Sequence, residues 1–291
     1  MASKKSIAGK IRINHYSDII SGDDTAVTEV PLEDLHDFKG HPFRVLDDEK
    51  MEETVESIRE YGVLMPGIVR PRVEGGYEII SGHRRRHACE IVGLDSMPVL
   101  IKAYDDDQAT IIMVDSNIQR DDILPSEKAR AYKMKYDALK HQGEKGGGRT
   151  LDTLGKDAGE SRKTIQRYIW LARLTDGLMD LLDNRKLQLF AAVEISFLQE
   201  QEQDWLERLI VDKNASVSSA QATQIKDYSQ KNKLTQELLE LILLGQKTRP
   251  IRVTLKAERL AKYFDENYSE KEIEETIIRL LDEWKKKGAT A

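Results

Sequence analysis

Ser81-Gly82-His83-Arg84-Arg85-Arg86-His87-Ala88-Cys89 is the stretch that decides how this chain is read. It follows the alternating run Tyr77-Glu78-Ile79-Ile80 and leads into a helical pattern through Glu90-Ile91-Val92, so it marks a strand-to-helix junction. Three arginines at the start of a helix oppose its macrodipole, at a cost of about 0.3–1 kcal/mol for each cation. An anion held by the free N–H groups of the first helical turn reverses the sign of that cost. The stretch therefore reads as a phosphate-binding turn.

Around it the sequence predicts a small mixed α/β domain over residues 27–122. Val27 to Leu32 reads as a strand and turn, and Met97 to Ile101 as another strand. Glu49 to Tyr61 reads as a helix with Met51, Val55 and Ile58 on one face and Gly62 as its stop. Ile68 to Val73 and Tyr77 to Ile80 read as paired strands joined through Glu74-Gly75-Gly76, and Pro71 argues that the first is an edge strand. A helix from Asp106 to Val114 runs on to Asp115-Ser116-Asn117-Ile118-Gln119-Arg120. There Arg120 offers a further cation and Asn117 an oxygen ligand, a second clamp if the segment faces the arginine turn. Magnesium bridging a triphosphate needs few such protein ligands.

From Pro125 the pattern turns helical, and residues 123–245 are expected to form an all-helical domain. Ala129, Tyr132, Tyr136 and Leu139 make one apolar stripe. Gly143-Glu144-Lys145-Gly146-Gly147-Gly148 reads as a flexible break. With Arg149-Thr150 it imitates a phosphate loop, but it follows a helix and lacks the lysine. Thr150 to Leu171 then has the layout of a helix-turn-helix. Leu154, Ala158, Ile165 and Ile169 pack the two helices, Gly155 permits a close crossing, and Gly159 takes a positive φ in the turn. The second helix presents Ser161, Arg162, Lys163, Thr164, Gln166 and Arg167, donors suited to base edges and phosphates. Leu178 to Leu198, Trp205 to Val211, and Gln221 to Leu244 (broken near Asn232) continue as packing helices.

Residues 250–291 change character again. Ile251, Val253 and Leu255 alternate as a strand, Glu258 to Phe264 reads as helical, and Ser269 with Glu272 forms a capping box. The final helix carries Ile273, Ile277, Leu280, Leu281 and Trp284 on one face. So short a segment buries little alone, and it is expected to self-associate as a dimerisation element. Residues 1–26 read as a polar, basic tail containing Lys4, Lys5, Lys10 and Arg12.

Composition narrows the classes. With 33% charged and 40% hydrophobic residues, the chain is too apolar for general disorder, and its net charge of -6 confines any nucleic-acid site to a local patch. One cysteine excludes an internal disulfide framework and suits a reducing compartment. No apolar run reaches membrane-spanning length and no signal-peptide core begins the chain, so a cytoplasmic protein without a membrane partner is expected. A metal on His83, His87 and Cys89 is disfavoured by Arg84, Arg85 and Arg86, and Arg84 stands where the metallopeptidase pattern needs glutamate. Cys89 reads as a buried small side chain. No serine or cysteine is paired recognisably with a base.

The blocks His41-Pro42-Phe43-Arg44-Val45, Met65 to Pro71, Tyr77 to Ala88, Asn117 to Arg120, Leu124 to Ala129, and Gly159-Glu160-Ser161-Arg162 occur in an order that resembles the ParB family of partition proteins. The likeness extends over residues 27–245 and leans toward ParB-like proteins on mobile elements of Gram-positive bacteria. It implies an α+β, mostly helical chain with an N-terminal ParB/sulfiredoxin-like domain. It further implies CTP and Mg2+ as ligands, with Gly82, His83, Arg84, Arg85, Asn117 and Arg120 at the nucleotide and Asn117 on the metal. Ser161 to Thr164, Gln166 and Arg167 would lie on duplex DNA carrying an inverted repeat. A homodimer closing as a sliding clamp, a ParA-type ATPase partner and a nucleoid- or plasmid-associated location are implied in the same way. His83 and His87 depart from the family's glutamate and arginine. Ser116 stands where the family carries the glutamate associated with hydrolysis, so at most weak CTP hydrolysis is implied. The sulfiredoxin motif Gly-Cys-His-Arg nearly fits Ser81 to Arg84, but its reactive cysteine falls on Gly82. Two other readings stay open: a ligand-responsive helix-turn-helix transcriptional regulator, and a nucleotide-hydrolysing or phosphotransferase enzyme of the α/β domain.

Overall fold

The computed structural model describes residues 26–120, 123–142, 147–245, 260, 262–264 and 268–288. The basic tail, residues 143–146 of the glycine break, the expected strand at 251–255 and most of the helix expected at 258–264 lie outside the described residues.

Five strands form one mixed sheet: β1 (Val27–Pro31), β2 (Leu35–His36), β3 (Gly67–Pro71), β4 (Tyr77–Ser81) and β5 (Ser96–Ile101), in the order β1-β5-β3-β4-β2. β1 and β5 are antiparallel, β5 and β3 parallel, β3 and β4 antiparallel, and β4 and β2 parallel. This corrects the edge position expected for β3, which is the central strand. Its pairs with β5 cover only Gly67 to Val69, so Pro71 lies beyond that ladder and its missing N–H breaks nothing there.

Side chains alternate across β3 and β4, and both faces are covered, which is why adjacent residues such as Ile68 and Val69, or Ile79 and Ile80, are apolar and buried alike. Val69 and Ile79 face α1 (Glu49–Tyr61) and α2 (His83–Val92), packing on Met51, Val55, Ile58, Ala88 and Cys89. Ile68 and Ile80 face the other way, onto Ala109, Ile112 and Met113 of α3 (Asp106–Asn117) and Ala131 of α4 (Pro125–His141). Helix α4 thus belongs to the sheet's core as well as to the helical region. Tyr132, one residue on, packs with Leu151 and Leu154 of α5 (Gly147–Ala158) and Ile165 and Ile169 of α6 (Arg162–Leu171). The expected glycine break is shorter than read, because α5 begins at Gly147.

Five further helices enclose a larger apolar core: α7 (Asp176–Asp183), α8 (Leu189–Ile195), α9 (Glu200–Asp212), α10 (Ser219–Gln230) and α11 (Gln236–Leu244). The helical run expected from Leu178 to Leu198 is two helices, divided where Arg185 takes a φ of 59°. Asn232, the expected break, has a φ of 52°. Residues up to Gly245 form one compact unit, and a second begins at Gln246. In the second unit, α12 (Glu270–Gly288) is capped by Ser269, whose hydroxyl and N–H both donate to the Glu272 carboxylate, at 2.7 and 2.8 Å. Ile273 and Ile277 are half-buried, and Leu280, Leu281 and Trp284 are exposed. Among the described residues no helix is long and apolar enough to cross a membrane.

Candidate functional site

The arginine turn joins β4 to α2. Gly82 is the N-cap residue with a φ of 118°, a conformation that L side chains rarely adopt, and a Cβ there would lie 3.2 Å from the Gly67 Cα. Glycine offers no capping side chain, so the first-turn N–H groups of His83, Arg84 and Arg85 are left without one. The Gly82 carbonyl accepts from Arg86 N–H at 2.9 Å, which starts the helix.

The basic side chains then fan out. Arg84 donates to Asp48 at 2.9 Å, and Asp48 also caps α1 by accepting from Met51 N–H. The Arg84 guanidinium holds the Asp48 carboxyl below the usual carboxylate range. Arg85 donates to the Met65 and Pro66 carbonyls at 2.5 and 2.7 Å, bracing the loop before β3. Arg86 pairs with Glu90 at 2.9 Å and with Asp37 at 3.6 Å. Even so, Arg84 Nη1, Arg86 Nε and His41 Nε2 are buried without a hydrogen-bond partner. Buried polar groups are normally satisfied, and the two guanidinium nitrogens beside this helix N-terminus are donors suited to a polar ligand, whereas neutral His41, with Nδ1 on the Phe43 carbonyl, presents Nε2 as an acceptor.

The two histidines of the turn behave oppositely. His83 is buried, its ring lies 3.8 Å from that of His41, and its Nε2 stands 3.5 Å from the Phe38 N–H. Burial, then the neighbouring His41 and Arg86, push its pKa down to about 3. The His83 ring is therefore neutral and faces inward, and what the residue offers a ligand is its backbone N–H. His87 accepts the company of Asp47, 2.8 Å from its Nε2, which raises its pKa. Cys89 is buried and burial pushes its thiol up. These three side chains point to separate neighbours, and among the described residues no group of three metal-binding side chains gathers.

The segment read as a second clamp closes α3. Asn117 Nδ2 and Ser116 Oγ both donate to the Met113 carbonyl, at 2.8 and 3.0 Å, which leaves the Asn117 amide oxygen as the atom for a cation. Asp115 pairs with Lys135 at 2.6 Å. Burial is the main cause holding the His41 pKa down, and the charge of Arg120 adds to it. Sequence reasoning missed His41, Asp47 and Asp48 as neighbours of the arginine turn. Only Asp48 carried a local signal, an acidic residue directly before a helix.

At the helix-turn-helix, Gly159 has a φ of 68°, and a Cβ on Gly155 would meet the Glu160 carbonyl oxygen at 2.6 Å. Ser161 caps α6 by accepting from Thr164 N–H at 3.1 Å. Ser161, Arg162 and Lys163 are exposed, whereas Thr164, Gln166 and Arg167 are half-buried. Arg162 has only a loose ion pair, 3.9 Å from Asp152. Arg167 lies 5.0 Å over the ring of Phe190.

A family description for the ParB N-terminal domain matches residues 17–118, a span that includes the whole arginine turn and Asn117. A probable chromosome 1-partitioning protein ParB from Deinococcus radiodurans is 31% identical over 202 residues, covering 69% of this chain and 67% of that protein. The chain belongs to the ParB family. A probable chromosome-partitioning ParB of Pseudomonas putida is 32% identical over 200 residues, covering 69% of this chain and 66% of that relative, just under two thirds of its length. Among solved structures, the C-terminally truncated ParB of Caulobacter crescentus complexed to the centromeric parS site aligns at 25% identity. That alignment covers 70% of this chain and 99% of the other, with a TM-score of 0.41. The ParB N-terminal domain match ends before Arg120, and the alignments to the two whole relatives are long enough to extend past it.

Proposed function

We propose that this chain is a dimeric partition protein that recognises an inverted repeat in duplex DNA and binds CTP to close a clamp on it. The observation carrying the nucleotide half is the uncapped first turn of α2 behind the left-handed Gly82, with the buried, partnerless Arg84 Nη1 beside it. Guanidinium groups and free helical N–H groups are the donors that a triphosphate's oxygens accept from. Gly82, Arg84 and Arg85 hold phosphates in this reading, with the His83 N–H, and Arg120 assists. The Asn117 oxygen is the protein ligand for Mg2+, which when bound neutralises phosphate charge. Ser116 carries no carboxylate and Asp115 is engaged by Lys135, so the residues favour binding over hydrolysis.

The DNA half rests on the capped, glycine-crossed α5–α6 pair, with Ser161 to Thr164, Gln166 and Arg167 as its reading surface. Family membership supports the pairing of the two halves, a nucleoid- or plasmid-associated role and a ParA-type ATPase partner. Placement in the mobile-element subgroup of Gram-positive bacteria rests on the likeness of the sequence blocks. The exposed Leu280, Leu281 and Trp284 of α12 support self-association through residues 250–291. Loss of the dimer on deleting that segment, measured by sedimentation, is the expected outcome.

The deciding experiment is radiolabelled CTP binding and turnover, with and without duplexes selected from random sequence by the chain itself. Saturable CTP binding with slow or no turnover, and selection of an inverted repeat at several salt concentrations, is expected. No selected repeat, or rapid NTP turnover without DNA, would overturn the reading in favour of an enzyme.

A further inference from the structure

Helix α4 carries a residue that its sequence pattern does not predict. Lys135 lies between Tyr132 and Tyr136 in the stripe read as apolar, and its side chain is 3% exposed. An ammonium group so deeply buried is tolerated only with close opposite charge. Two carboxylates supply it, Asp115 Oδ1 at 2.6 Å and Asp157 Oδ2 at 2.9 Å. Asp115 lies on the last turn of α3, two residues before Asn117, and Asp157 lies on the last turn of α5, two residues before Gly159. One buried cation thus ties the end of the proposed nucleotide clamp to the turn of the helix-turn-helix.

Neighbouring groups strengthen each end. Lys128 approaches Glu160 in the same turn at 3.3 Å, and Gln119 Nε2 donates to the Asp157 carbonyl at 3.3 Å. Ile118 packs into the sheet-side core and into the helix-turn-helix core alike. Charge pairing at these distances is steep. If the end of α3 moves by about an ångström, Lys135 must give up Asp115 or draw α5 with it, because a buried charge left with poor partners is strongly destabilising.

We propose that Lys135 is a positioning residue that transmits nucleotide occupancy at residues 115–120 to the recognition helix, so that CTP alters operator affinity through it. This rests on the nucleotide and operator reading above. Coupling of this kind is a measurable ratio, the factor by which one ligand changes affinity for the other, and it is reciprocal.

The test uses the full chain, CTP with magnesium, and a duplex selected from random sequence by the wild type. Calorimetry gives CTP affinity, and fluorescence anisotropy gives operator affinity with and without CTP. In the wild type CTP changes operator affinity by about tenfold or more. In Lys135→Met that factor falls below about twofold while each affinity measured alone stays within about threefold, and Lys135→Arg restores most of it. Asp157→Asn, altering a half-exposed residue, carries the same test if Lys135→Met fails to fold. An unchanged factor in the folded variants, or a wild-type factor of one with CTP bound, overturns the proposal alone. Absence of CTP binding by the wild type defeats the nucleotide reading, and this proposal with it.

Discussion

The arginine turn and the helix-turn-helix are both corners opened by a left-handed glycine, Gly82 in one and Gly159 in the other, yet one leaves its helix start uncapped and the other caps it. At the first, the helix start has no side-chain cap, and buried donor nitrogens of Arg84 and Arg86 lack partners. At the second, Ser161 caps the helix, Glu160 N–H donates to the Gly155 carbonyl at 2.8 Å, and Leu154, Ile165 and Ile169 are buried beneath; Glu160 Oε2, left without a partner there, is an acceptor. A small anion is enclosed by its site, so donors stay unmet until it arrives. A duplex is met from outside, so the corner completes its own backbone and leaves Arg162 and Lys163 in solvent.

The sharpest way to break this contrast is Arg85→Ala. It removes a cation from the unmet corner and the brace on Met65 and Pro66, and CTP affinity is expected to fall by about 100-fold or more, the scale of one or two charge-assisted hydrogen bonds. Nucleotide-free operator binding should stay within about twofold; calorimetry that finds unchanged CTP affinity refutes the assignment. Arg162→Ala should cost about 1–3 kcal/mol of specific binding if the exposed arginine forks onto a base edge. An equal loss on random DNA marks a phosphate contact instead.

Gly155→Ala tests how tightly the capped corner is closed. The added methyl lies 2.6 Å from a backbone oxygen, and crowding of that kind costs about 1–3 kcal/mol, more than the helix-propensity gain of about 1 kcal/mol. A urea midpoint at or above wild type would show that the crossing gives way.

The histidines set the smaller effects. His83 has its folded pKa near 3, below its unfolded value near 6.5, so the unfolded chain binds a proton that the folded one refuses. Its contribution to stability falls as the pH drops from about 6.5 toward 3, with a slope of up to about 1.4 kcal/mol per pH unit, and His83→Gln should flatten that slope. His87 has its pKa raised by Asp47 and Glu90, so its contribution is present below about pH 6.5 and lost as the pH climbs through the folded value. It is about a third exposed, which limits the effect of His87→Gln to under about 0.5 kcal/mol at acid pH. Denaturation midpoints across pH 4–8 separate the two signs.

Much of the fold up to Gly245 could be read from periodicity because its amphipathic helices bury one face. The helices at 49–61 and 125–141 begin and end where their caps and apolar stripes say. The reading failed where a residue's meaning depends on a distant partner. Pro71 suggests an edge until it is known that β5 has already ended beside it. Lys135 breaks an apolar stripe on paper and completes it in space, because Asp115 and Asp157 arrive from two other helices. At the candidate site the arginines announced an electrostatic conflict in sequence, but nothing local foretold that His83 turns inward onto His41.

The sheet's borders have a consequence for crowding. One outer strand, β2, is two residues long; the other, β1, carries Glu29 at its middle and ends on Pro31, which has no N–H to donate. Among the described residues, neither border offers a long run of free backbone on which a second chain's strand could template, the usual first step toward fibrous aggregation. The borders of this sheet therefore present little that a neighbouring copy's strand could extend.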